Sequence, residues 1–176
     1  MKKTIETDRL ILRELVDSDA ELMFEMESNP NVHIFVGKKP LKHIDEVYEY
    51  IRLIQEQYAA FGTGRWAVVL KETGEFIGWS GIKFITKEIN NHQNFYEIGY
   101  RFNEKHWGKG YATEAGKAFI NHAFNEMKVD AVYAYADEGN ANSRKILEKL
   151  GLQFINTFEY EDETEVWYEI KNPKTI

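Results

Sequence analysis

Hydrophobic and polar positions alternate, then switch to helical spacing, several times along the chain, and the switches predict its elements. Over residues 7–15, Leu10, Leu12 and Leu15 are interleaved with Arg9, Ile11 and Arg13, which predicts a strand with both faces partly covered. Ser18-Asp-Ala-Glu21 has the form of a capping box and predicts a helix to about Glu27, with Leu22, Met23 and Met26 inward. Asn29-Pro30-Asn31 ends it. From about His43 to Ala60, the residues Ile44, Val47, Tyr48, Ile51, Ile54, Tyr58 and Phe61 recur at helical spacing, and Gly62-Thr-Gly64 closes that helix. Residues 65–71 and 76–85 read as two strands joined by a turn at Glu72-Thr-Gly-Glu75. Further on come a strand at 131–136, a helix at 140–150 and strands at 152–160 and 165–169. Gly151 stands where a helix ends in a left-handed turn with Leu152 folding back on it.

Residues 95–115 organise the rest. Tyr96, Ile98, Tyr100 and Phe102 alternate with Glu97, Gly99 and Arg101, the period of a strand. Gly108 and Gly110 follow, and from Ala112 the set Ala112, Ala115, Phe119, Ala123 and Met127 takes helical spacing. A glycine-rich loop opening a helix presents free N–H groups and a positive dipole end, an anion site that phosphate fits. A plain helix start with two turn glycines is the alternative. The spacing fits neither GxGxxG nor GxxxxGK[ST].

Trp107-Gly-Lys-Gly-Tyr-Ala112 resembles the pyrophosphate loop of the GNAT N-acetyltransferases, [R/Q]-x-x-G-x-[G/A]. Gly110 and Ala112 match its fourth and sixth positions, while Trp107 stands where Arg or Gln is usual. That departure, with Tyr111-Ala-Thr113 following, is similar to the RimJ/RimL branch, which acetylates N-terminal amines of ribosomal proteins. The resemblance runs over nearly the whole chain. It implies one α+β domain over residues 7–170, with a mixed, mostly antiparallel splayed sheet of about seven strands and about four helices. It also implies acetyl-CoA as co-substrate.

Composition narrows the function further. At 176 residues, 43% of them apolar, the chain has length for one domain that buries about 70% of its unfolded surface. With no cysteine there is no disulfide, thiolate nucleophile or cysteine zinc site, which fits a reducing compartment. Five scattered histidines without ligand spacing predict no metal. The start, Met1-Lys-Lys-Thr-Ile-Glu, reaches acid before any apolar core, so no secretory signal is expected, and no apolar run approaches the roughly 20 residues that span a bilayer. A cytoplasmic protein is expected. A formal charge of −7 argues against a general nucleic-acid surface and is compatible with a cationic acceptor. Solubility explains it equally.

Acyl transfer from a thioester to an amine needs a group to take the amine's proton, a donor for the oxyanion and a proton for the departing thiolate. Glu97 projects opposite to Tyr96 and Ile98. Partly buried, it would hold a raised pKa and take the proton through water; the other reading is a surface strand glutamate. His92 and His106 are alternative bases.

The family resemblance places the backbone of Tyr100 to Phe102 along the pantetheine. It places Trp107, Gly108, Lys109, Gly110, Tyr111, Ala112 and Thr113 at the pyrophosphate, with Lys109 adding charge unless it is merely solvated. Asn140-Ala-Asn-Ser143 carries a second resemblance, with Asn140 as helix cap and cofactor contact. Family members often have a Tyr acid where this chain has Leu147, and Ser143 is implied in its place. The acidic run 159–165 at the last strand junction would favour a cationic amine if it overhangs the acceptor cleft. The implied acceptor is an N-terminal amine of a protein or peptide. A small amine (polyamine, amino acid or aminoglycoside) or a non-catalytic CoA-binding module are the alternatives, in a monomer or homodimer.

Overall fold

The computed structural model describes residues 4–174; the start of the leader reading, Met1-Lys-Lys, lies outside them. The elements are β1 (Thr4–Glu6), β2 (Leu10–Glu14), α1 (Ala20–Glu27), α2 (Ile44–Phe61), β3 (Arg65–Leu70), β4 (Phe76–Ile85), β5 (Phe95–Phe102), α3 (Tyr111–Asn125), β6 (Ala131–Asp137), α4 (Ala141–Lys149), β7 (Gln153–Tyr160) and β8 (Glu163–Lys171). They form one α+β domain with an eight-stranded sheet in the order β1-β2-β3-β4-β5-β6-β8-β7. Every pairing is antiparallel except β5 with β6.

The extra strand, β1, lies just before the stretch predicted as a strand at 7–15, which forms β2 over its residues 10–14. Thr7 Oγ1 accepts from the N–H of Leu10 at 3.0 Å and turns the chain, so β1 and β2 pair with each other. The capping box at Ser18 is also corrected. Asp19 holds Arg13 through two hydrogen bonds and accepts from the N–H of Val16 at 3.0 Å, and α1 begins only at Ala20. Leu22, predicted inward, is exposed, because α1 packs through Ala20, Met23 and Met26 and Leu22 falls off that stripe. Tyr48 and Phe61 stand at the edge of the α2 stripe and are exposed too, while Val47, Ile51 and Ile54 are buried.

Strand β3 explains why its sequence reads as an unbroken apolar run. Trp66 and Val68 pack into the core beneath α3 and α4, and Ala67 and Val69 pack into the core beneath α1 and α2. A strand covered on both faces needs apolar residues at every position. The far end of the sheet has a third, aromatic cluster of Phe95, Tyr133, Tyr135, Phe158, Tyr160 and Trp167. Glu161 and Asp162 form the turn from β7 to β8, both at positive φ, as a two-residue hairpin loop requires.

Candidate active site

The parallel strands β5 and β6 pair at one position, Glu97 with Tyr133. Beyond it they diverge, and the sheet opens into a gap toward Phe102 and Asp137. The β6-facing backbone of Tyr100 to Phe102 therefore has no strand partner, and α3 and α4 begin on either side of the opening.

The loop at the mouth of this gap is glycine-shaped. Gly108 and Gly110 sit at φ +73° and +82°, and nothing lies within 4 Å of where a Gly108 Cβ would be. Gly110 is the N-cap of α3 and no side chain caps the helix, so the first-turn N–H groups of Tyr111, Ala112 and Thr113 are available to an anion. Arg9 ties the loop down. Its guanidinium bonds Glu114 at 2.6 and 2.7 Å, donates to the Lys109 carbonyl at 3.0 Å and lies over the Tyr111 ring. Burial works against the Glu114 charge, but donors from Thr7 and Arg9 outweigh it and hold the carboxyl below its ordinary pKa. Trp107, in the place of Arg or Gln, donates Nε1–H to the Phe102 carbonyl at 2.8 Å, and so clips the loop to the end of β5 and occupies that carbonyl. The Lys109 side chain is exposed.

On the α4 side of the gap, Asn140 caps the helix by accepting from the N–H of Ser143 at 3.1 Å. The Tyr100 hydroxyl crosses from β5 to the same turn, 3.2 Å from Ser143 Oγ and 3.1 Å from its carbonyl. Burial pushes the Tyr100 pKa above its ordinary value against the opposing Ser143 hydrogen bond, with the Glu97 charge adding to the rise. Leu147 is buried behind this pair.

Glu97 lies on the opposite face of the sheet from Tyr100, so it and Ser143 meet only through the gap. It is buried rather than partly buried, and it is not alone: Oε2 is held by Arg65 Nη2, and Arg65 Nη1 donates to the carbonyls of Gly81 and Glu97. Arg65 comes from β3, two strands away, and reaches Glu97 because Gly81 and Gly99 stand in register with it across β4 and β5. A Cβ at position 99 would meet Arg65 Nη2 at 2.5 Å.

Beside this pair, Trp79 packs between the Arg65 and Arg101 guanidinium groups and donates Nε1–H to Glu27 at 2.9 Å. Burial would raise the Glu27 pKa, but contacts from His33, Arg101 and Trp79 win and lower it. On β6 and β8 the same face carries Tyr135, Asp137 and Glu165. Glu165 Oε2 is buried with no hydrogen-bond partner; burial first, then Asp137, Glu163 and Glu161, push the carboxyl up to about 7. The segment after α1 closes over this face: Phe35 lies against Gly139, and Lys38 Nζ is 2.5 Å from Glu163 Oε1.

The structure thus gathers Trp107 to Thr113 at one end of the gap, Tyr100, Asn140 and Ser143 along one wall, and Glu97 behind it. Of the two alternative histidines, His106 lies away from Glu97, while His92 packs on Tyr133, the β6 partner of Glu97. His106 Nε2 faces Glu75 at 3.4 Å, and His92 stacks on Trp167. Arg9, Arg65 and Tyr135 did not stand out in the sequence, and Glu165 did so only as the end of the acidic run 159–165. For Arg65 a signal was present: glycines inside two adjacent strands mark a place where another group comes close.

A model of the acetyltransferase (GNAT) domain matches residues 9–153. The chain is similar to the uncharacterized protein YkkB of Bacillus subtilis, 35% identical over 157 residues that cover 89% of this chain and 88% of that protein. It is 30% identical to the uncharacterized N-acetyltransferase p20 of Bacillus licheniformis, over 86% of this chain and 83% of that one. Among solved structures, a GNAT-family acetyltransferase of Bacillus anthracis shares the fold with a TM-score of 0.80 at 24% identity, covering 97% of this chain and 99% of its own. The ribosomal-protein-S5-alanine acetyltransferase of Vibrio fischeri superposes at 0.77 with 17% identity, covering 97% of each chain.

Proposed function

We propose, starting from a chain that belongs to the GNAT acetyltransferase family and is an N-acetyltransferase, that it transfers acetyl from acetyl-CoA directly to a primary amine. The leading acceptor is the N-terminal amine of a protein or peptide, of the ribosomal-protein type, with residues 7–170 as the catalytic unit acting in the cytoplasm. The observation that carries the donor is the open cradle at Gly108 and Gly110, with the uncapped first turn of α3 behind it. A phosphate group fits such donors, and Arg9, bonded to Glu114, borders the cradle with Nη2 3.5 Å from where a Gly110 Cβ would be, while the Gly108 side is open.

Residue roles follow from position. Trp107 to Thr113 bind the phosphates, the β6-facing backbone of Tyr100 to Phe102 lines the pantetheine, and Asn140 contacts the cofactor while capping α4. Glu97, fixed by Arg65, receives the amine's proton through water. Ser143, backed by the Tyr100 hydroxyl, hydrogen-bonds the departing sulfur. A likeness of fold to the Vibrio fischeri enzyme supports the protein acceptor. The uncompensated Glu165 on the acceptor face supports a second reading, a small cationic amine. Incubation with acetyl-CoA and a panel of N-terminal peptides and small amines, followed by free-thiol release, separates the two. No thiol release with any amine would sink both.

A further inference from the structure

The face of the sheet that carries Glu97 also carries a lysine. Lys83 on β4 is in register with Glu97 on β5, and strand alternation puts both side chains on the same side. Glu97 in turn is the last residue of β5 paired to β6 before the strands part. Lys83 is therefore level with the apex of the gap, one strand spacing of about 4.8 Å from β5, a distance that its flexible four-carbon stem spans.

Its surroundings are unusual for a lysine. The side chain is half-buried and forms no ion pair or hydrogen bond among the described residues. The one carboxylate beside it, Glu97, is taken by Arg65. The charged and titratable groups around it are Arg65 from β3, Glu97 from β5 and Lys87 from the loop after β4. Burial, then the positive charges of Arg65 and Lys87, lower its pKa against the opposing pull of Glu97. A half-buried lysine so placed is the kind that acts as a nucleophile, because the neutral amine is the reactive form.

We propose that Lys83 is a self-acetylation site: the enzyme's own acetyl-CoA supplies an acetyl group to Lys83 Nζ when no external acceptor fills the cleft. The ammonium first gives a proton to solvent. The Nζ lone pair then attacks the thioester carbonyl carbon, a C–N bond forms and the C–S bond breaks. The nitrogen loses its second proton to the departing sulfur, leaving an acetamide on Lys83 and free CoA thiol. The product removes a positive charge beside Glu97 and makes the acceptor face more negative.

The proposal rests on the acetyl-CoA reading above, and the test separates the two. The whole protein is incubated with acetyl-CoA, with and without an N-terminal peptide, and digested for mass spectrometry. Lys83 is expected to gain one acetyl group to near completion, at least 10-fold ahead of any other lysine, and the peptide should suppress it. Gly110→Val and heat-denatured protein should lose that preference. Separately, with no acetyl-CoA present, competitive labelling by acetic anhydride should modify Lys83 at lower pH than the surface lysines. Peptide acetylation with Lys83 unmodified overturns the proposal, as does equal labelling of the denatured protein. Thiol release with a small amine while Lys83 stays unmodified likewise overturns the proposal, and no thiol release with any peptide or small amine overturns the acetyl-CoA reading itself.

Discussion

The Tyr100 hydroxyl lies 3.2 Å from Ser143 Oγ and bridges β5 to the first turn of α4 across the opening of the sheet. Because the Tyr100 pKa is held above its ordinary value, this hydroxyl keeps its proton across the neutral range and donates it to the Ser143 carbonyl at 3.1 Å, with Ser143 Oγ beside it. The contact fixes the first turn of α4 against β5 and with it the position of Ser143 Oγ. Ser143→Ala and Tyr100→Phe are each expected to lower kcat about 10–100-fold with little change in the KM for acetyl-CoA. The double variant should be scarcely worse than either single one, since both hydroxyls serve one donor. Steady-state kinetics of the three variants check this; additive losses would separate the roles.

Glu97 and Arg65 act as a unit. Glu97→Gln keeps the shape and removes the basic site, so turnover should fall about 10²–10⁴-fold and the acidic limb of the pH–rate profile should disappear. Gly99→Ala probes the same pair from outside, because the added methyl meets the Arg65 guanidinium. It should destabilise the fold by about 1–3 kcal/mol, the usual effect of overpacking. Denaturant unfolding measures that, and a neutral Gly99→Ala would mean that Arg65 has room to move.

Much of this arrangement was legible along the chain. The strand, loop and helix from Phe95 to Asn125 could be read because each has a local signal: alternation, glycines, then an apolar stripe. Asn140 as a cap was legible for the same reason. What escaped depends on contacts between distant segments. The turn at Thr7 is set by a side chain whose hydroxyl also bonds Glu114 at 2.6 Å. Arg65 looks like any strand-edge arginine until the register puts Gly81 and Gly99 beside it. Glu97 was expected partly buried or on a strand surface, and no local pattern predicts a guanidinium arriving from two strands away.

The phosphate cradle gives a binding prediction. Acetyl-CoA at about 100 times its Kd should stabilise the fold by about 2.7 kcal/mol and raise Tm accordingly. Gly110→Val should remove that rise, because a branched residue at φ +82° is strained and its side chain crowds the Arg9 guanidinium that ties the loop down. Arg9→Ala should weaken the rise without abolishing it, since it frees the loop and leaves the N–H groups in place. Thermal melts with and without ligand check both, and a full Tm rise in Gly110→Val would remove the phosphates from this loop.

Glu165 gives a pH dependence whose sign is opposite to that of an ion-paired carboxylate. Its ordinary pKa is 4.5 and the folded protein raises it to about 7, by burial and then by Asp137, Glu163 and Glu161. Between those values the folded state binds more protons than the unfolded chain, so the stability from this group falls as pH rises. The fall begins near 4.5, is complete above about 7, and leaves an ionised carboxylate whose Oε2 has no partner. Were the site dry the full shift would correspond to about 3 kcal/mol; with solvent reaching it the penalty is about 1 kcal/mol. Glu165→Gln removes the charge and keeps the volume. The variant should therefore be more stable than the parent by about that amount at pH 8, and the two should converge below pH 4.5. Urea unfolding at both pH values measures the difference. A Glu165→Gln variant less stable at pH 8 would mean that a cation neutralises this carboxylate in the folded protein.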